Sequence, residues 1–352
     1  MKLVNGGEML IKRGIHFVGS LGMSDAETGF RVLAKKIGAR AKRYPDGEPG
    51  DRANWIRFQI GMLGSHPEIE LVRRVEMQAG GEQFNRPYYR SVEAVAPEDV
   101  DFGALGYAEA AKGSYEIFSR LKSEGVVPSA TRFQVCLPTP AAEIGGFIDP
   151  KQQAEIEPAY EKAMVAEIDR IVTAIPNNEL AIQWDIAHEP VSAEGGGPGL
   201  YYEDIYGGTI DRVCRLSDAV PNPVELGLHL CYGDPGHKHV IEPSDLSICI
   251  RFSNGFAAGT KRSIQWIHMP VPRDRDDDAY FAPLADLKLA PETELILGLV
   301  HHTGGIKATY RRMDAAIKFI KDFSVATECG LGRRKPETLT ELLAIHIAAA
   351  DV

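Results

Sequence analysis

The sequence predicts an α/β protein folded as a (β/α)8 barrel, a TIM barrel, with an excursion inserted after the second strand. Three observations predict it. Eight apolar, β-branched runs recur along the chain. Amphipathic stretches such as EKAMVAEIDRIVTAI and TYRRMDAAIKFIKDF lie between them, with apolar residues at three- and four-residue spacing. Reactive polar residues gather at the C-terminal ends of the runs, where this fold does its chemistry.

The runs are IHFVGS (15–20), ARAKRYPDG (39–47), RFQVCLP (132–138), LAIQWDI (180–186), VELGLHLC (224–231), SIQWIHM (263–269), ELILGLVHH (294–302) and FSVATECG (323–330). Near-continuous apolar character fits strands buried on both faces, as in a parallel sheet covered by helices. An open doubly wound sheet would share this pattern, but no GxGxxG stands at a strand-to-helix junction. The longest gap, about 85 residues, separates the second run from the third. A single domain over 1–352 is therefore expected, with 48–130 partly an insertion covering the barrel mouth.

Composition narrows the partners. With 44% hydrophobic and 25% charged residues the chain is an ordinary globular protein, and its net charge of −10 argues against a nucleic-acid surface. No apolar run is long enough to span a membrane, and MKLVNGGEMLIKRG has no apolar leader core. The expectation is a cytoplasmic protein acting on small molecules, with a homo-oligomer left open. Five irregularly spaced cysteines suit reduced thiols better than a disulfide framework.

The run ends carry Ser20, Asp46, Glu48, Asp185, His229, Cys231, His268, His301, His302, Glu328 and Cys329. In a strand, residues i and i+2 share a face, so His229 and Cys231 converge. Such residues in apolar strands cost about 1–3 kcal/mol each unless paired or ligated. A metal site is the most economical reason, because Cys and His are zinc's preferred ligands. Cys231 and Cys329 are read as ligands, whereas Cys136, Cys214 and Cys249 are read as small buried apolar residues. His268 is either a ligand or a hydrogen-bonding pocket histidine. Trp184 and Trp266 are read as packing residues turned toward the helices, and Trp55, just beyond Glu48, as a stacking surface for substrate. Arg43, Arg52 and Arg273 are read first as bracing ion pairs and second as anion clamps.

Taken in order, these segments resemble the catalytic barrel of the cobalamin-independent methionine synthase family, in the superfamily that also holds uroporphyrinogen decarboxylase. VGS (18–20) is similar to that family's IGS and DGE (46–48) to its HGE. LPTP (137–140) resembles GPVT, and IQWD (182–185) resembles IQ(I/V)DEP. HLCY (229–232) resembles HMCY, and ECGLGRR (328–334) resembles DCGLKTR. The resemblance implies zinc bound by His229, Cys231 and Cys329, and an amino-acid substrate facing Ser20, Glu48 and Asp185. It also implies a proton-transfer residue at His301 or its neighbour His302. The family's fourth zinc ligand is a Glu in a segment like ITIETSRSD, and here that segment is WIHMPVPRD with His268 at the position. The chain has room for one barrel only and lacks the family's folate-binding segments.

The expected activity is zinc-dependent transfer of a methyl or alkyl group to a small, homocysteine-like thiol. Two alternatives stand beside it. One is a metal-independent decarboxylase or lyase on the same barrel, and the other is a ligand-binding barrel without catalysis.

Overall fold

A computed structural model describes residues 12–79 and 82–352, so most of the N-terminal stretch MKLVNGGEMLIKRG, expected to carry no leader core, lies outside the described residues. Seven parallel strands form one curled sheet: β1 (Arg43–Pro45), β4 (Arg132–Pro138), β5 (Leu180–Ile186), β6 (Glu225–Leu230), β7 (Trp266–Pro270), β8 (Glu294–Val300) and β9 (Ser324–Thr327), in that order. Two further strands, β2 (Ile69–Ala79) and β3 (Glu82–Ser91), make a separate antiparallel hairpin.

The strands read as continuously apolar because both faces are covered. In β5 every residue is buried. Ile182, Trp184 and Ile186 join the large core under the helices, while Ala181, Gln183 and Asp185 alternate to the concave side. The expected helix over 161–175 is part of Gln153–Ala174, with Ile175 as its C-cap, whereas of the stretch 309–323 only the first half is helical, in Gly305–Ala316, and 317–323 is turn and loop. Local chemistry fixes several starts: Asp25 accepts from the Thr28 amide at the head of Ala26–Lys36, and Asp277 caps Asp278–Phe281.

The architecture is TIM-barrel-like, but the first apolar run departs from the expected eighth strand. Residues 15–20 make one isolated bridge, Ile15 to Val325, rather than a ladder. The segment bonds to both margins of the sheet: the His16 amide donates to Val325 O (3.0 Å), the Ile15 amide to Arg40 O (3.1 Å) and the Leu21 amide to Gly47 O (3.1 Å). Those bonds are spaced too widely for a regular strand.

The stretch 48–130 carries the 3-10 segment Gly50–Phe58, the helix Gln59–Ser65, the hairpin and the helix Tyr107–Ser123. The hairpin was not foreseen, because charged residues interrupt its alternation and Leu71 and Val72 are exposed. Asp46 anchors the stretch, accepting from Arg52 and, at 2.8 Å, from the Ser114 hydroxyl.

Candidate metal and substrate site

Register stacks the polar residues in two layers on the concave face. Gln183, Gly227 and Trp266 are neighbours across β5, β6 and β7, and one step toward the C-terminal ends come Asp185, His229 and His268. Trp266 therefore faces the same way as His268, and the expectation that it turns toward the helices is corrected: two residues of spacing keep the face. Its indole lies over Gly227, where an added Cβ would fall 1.7 Å from the ring. The indole N–H donates to Gln183 Oε1 (3.2 Å).

That bond settles the orientation of Gln183, since an indole N–H can only donate. The amide nitrogen must then point the other way, and it donates to Asp185 Oδ1 (2.8 Å) and Val18 O (2.6 Å). Asp185 is buried, and burial followed by the charge of Glu48 pushes its carboxyl well up. Glu48, at a positive φ of 52°, is pushed up to about 7 by burial and then by Asp46, against Arg52 and Arg333. A buried carboxyl whose proton affinity is raised by a neighbouring carboxyl, as Asp185 is by Glu48, is suited to a cation placed between them. Ser20 is tied to the 328–334 loop: its backbone carbonyl accepts from the Leu331 amide (2.6 Å) and its hydroxyl from the Gly332 amide (3.2 Å).

Glu48, Arg52, Trp55, Phe58, Tyr107, Cys136 and Pro138 line a small cavity. Trp55 is in its wall with a strained positive φ of 55°, its ring edge-on to His188. Cys136 corrects the apolar reading of that residue. Its thiol donates to Val18 O (3.1 Å) on the concave face, and burial followed by Asp185 pushes it well up. Cys214 and Cys249 are buried as expected, and all five cysteines are free.

His229 and Cys231, from the end of β6, meet Cys329, from the loop after β9, with one ligand atom of each within 4.8 Å of the others. The two sulfurs are 3.7 Å apart. That is far beyond a disulfide, and it matches the edge of about 3.8 Å for a tetrahedron with zinc–sulfur bonds of about 2.3 Å. Contact with Cys231 and burial push the Cys329 thiol well up, so a cation is what would hold the pair as thiolates. The donor set fits zinc.

His268 is fully buried and stands outside this trio. Its Nε2 is 3.0 Å from Thr327 O and its Nδ1 is 2.8 Å from His229 Nδ1. Of the paired histidines after β8, His301 is buried and His302 is 39% exposed, bonded to Glu341 on the outer helix Leu339–Ala350. His301 Nε2 donates to Val271 O (2.8 Å), and its Nδ1 faces Glu328 Oε1 at 3.5 Å. Burial, then Arg312 and Arg334, push His301 well down.

Arg43 pairs with Glu225 (2.6 Å) and lies over the Trp266 ring, Arg52 pairs with Asp46, and Arg273 donates to His237 O (2.8 Å). All three brace the protein. Sequence reasoning missed Gln183, Tyr107 and the GHKH loop whose His237 and His239 stand 3.5 and 3.4 Å from Glu328. Strand alternation could have found Gln183, two residues before Asp185; nothing local pointed to the loop.

No protein-family model matches the chain, and no curated protein does. Solved structures do. A B12-independent methionine synthase from Shewanella sp. W3-18-1, in complex with selenomethionine, aligns over 96% of this chain and 97% of its own at 14% identity and a TM-score of 0.56. A putative vitamin-B12-independent methionine synthase from Listeria monocytogenes aligns over 92% of this chain and 86% of its own, at 14% identity and a TM-score of 0.54. The chain has the fold of these proteins.

Proposed function

We propose that this chain is a zinc-dependent transferase that moves a methyl or other alkyl group onto a small thiol bearing an amino group, of the homocysteine type. The observation that carries the reading is the convergence of His229, Cys231 and Cys329 from two distant strand ends, on a fold shared with B12-independent methionine synthases. The selenomethionine in the Shewanella structure is an amino acid of the corresponding product class. The reading takes the barrel as closed through residues 14–21.

Zinc held by these three side chains would keep the substrate's sulfur as a thiolate, the nucleophile for alkyl transfer. Glu48 and Asp185 receive the ammonium group, whose charge relieves their mutual repulsion. Gln183 holds one oxygen of Asp185 and leaves the other to the substrate. Ser20 is a further substrate contact in this reading, and Trp55 with Phe58 and Tyr107, which line the cavity beside Glu48, screens the site from water. His301 is the proton-transfer residue in this reading: with Nε2 committed to Val271 O, Nδ1 takes a proton from solvent and passes it to the leaving group, and Glu328 beside it stabilises the ring while it is charged. An acid–base lyase or a non-catalytic barrel would leave the Cys231–Cys329 pair without a role.

The test is the metal content of protein purified without chelators or metal-affinity tags. Near-stoichiometric zinc in the wild type, lost in both Cys231→Ser and Cys329→Ser, is the expected result. Wild-type protein that stays metal-free after zinc is added back would refute the reading and favour lyase chemistry.

A further inference from the structure

We infer that His268 is a positioning residue and not a fourth zinc ligand: it fixes His229 in the one tautomer that can bind the metal, leaving zinc held by His229, Cys231 and Cys329 with a coordination position open. The inference rests on the zinc reading above and concerns how the site is built.

The proton positions follow from what each partner can do. Thr327 O only accepts, so His268 Nε2, 3.0 Å away, must carry a hydrogen. A neutral imidazole has one N–H, so His268 Nδ1 is a lone pair. At 2.8 Å from His229 Nδ1 it can only accept, and His229 Nδ1 must donate. His229 then has its lone pair on Nε2, and that is the nitrogen left for a metal. Metal-bound histidines elsewhere are oriented in this way by an acceptor on the other ring nitrogen.

His268 has no nitrogen to spare. Binding metal through Nδ1 would break the bond that orients His229, and binding through Nε2 would strip the buried Thr327 carbonyl of its donor. The ring has no room to turn, being fully buried with its centroid 4.7 Å from that of His229. A glutamate at this position, as the resembled family has, could not donate to Thr327 O as a carboxylate. The exchange to histidine supplies the N–H that this carbonyl takes. It also leaves the metal one anion poorer, which makes an open position more electrophilic.

X-ray absorption of the zinc-loaded protein tests this without reference to activity. We expect two sulfurs and the outer-shell scattering of one imidazole per zinc. His268→Leu should still bind one zinc at saturation, but with affinity lower by about 10–100-fold. His268→Gln, whose amide offers both a donor and an acceptor, should recover most of that loss and serves if the leucine variant does not fold. Two imidazoles per zinc, or a folded His268→Leu protein unable to bind zinc, would overturn the assignment alone. Wild-type protein that takes up no zinc would overturn it together with the transferase reading.

Discussion

Replacing Gly227 by alanine should couple barrel packing to the substrate site. The new Cβ would lie 1.7, 2.1 and 2.2 Å from indole atoms Cε2, Cζ2 and Cδ2 of Trp266. Ordinary carbon contacts are about 3.5–4.0 Å, so the ring must retreat by about 1.5 Å or more. Arg43 already lies over it at 4.0 Å, and the indole N–H would leave Gln183. Overpacking of this kind costs about 1–3 kcal/mol, and the lost hydrogen bond adds about 0.5–1.5 kcal/mol, giving about 2–4 kcal/mol in all. The assay is urea unfolding of Gly227→Ala, Trp266→Phe and the double variant, read from midpoints at unchanged slope. A phenylalanine vacates the space beside residue 227, so the double variant should recover at least about 1.5 kcal/mol relative to the sum of the singles. Both singles should also weaken binding of an amino-bearing thiol more than that of its desamino analogue, because Gln183, which holds Asp185, loses its indole partner and keeps only His16 at Oε1. Additive stabilities, or a neutral Gly227→Ala, would refute the reasoning.

Two further outcomes follow from the site. Affinity for an ammonium-bearing ligand should rise by about tenfold between pH 6 and 8 as Glu48, whose carboxyl titrates at about 7, becomes anionic. Isothermal titration should show this step flattened in Glu48→Gln, and a step of equal size in that variant would remove Glu48 from the ammonium pocket. His301→Ala should lower turnover by 100-fold or more on the scale of about 10²–10⁴ typical of acid–base catalysis, while His302→Ala, at the half-exposed position bonded to Glu341, should stay within about twofold of wild type. Equal losses in steady-state assays would mean that the partition between the two histidines is wrong.

Much of this was written locally. Strand identity in β4 to β8 follows from short apolar runs, and the pairing of His229 with Cys231 follows from the two-residue period of a strand. Ordered motifs along the chain pointed to the fold that the Shewanella and Listeria structures share. Other features depend on which strand lies beside which. The meeting of Cys231 with Cys329 brings together residues 98 apart in sequence. The role of His268 turns on a carbonyl in β9, and the place of Trp266 turns on a glycine in β6 that leaves room for its ring. The choice of His301 over His302 needs the helix that puts Glu341 beside the second ring. The sequence by itself determined which side chains could do chemistry and which face of each strand they occupy, because those are properties of short range. Only the tertiary structure decided which histidine rings face each other, which carboxyl groups lie together and which thiols touch, because these depend on distances between segments that the chain brings together only on folding.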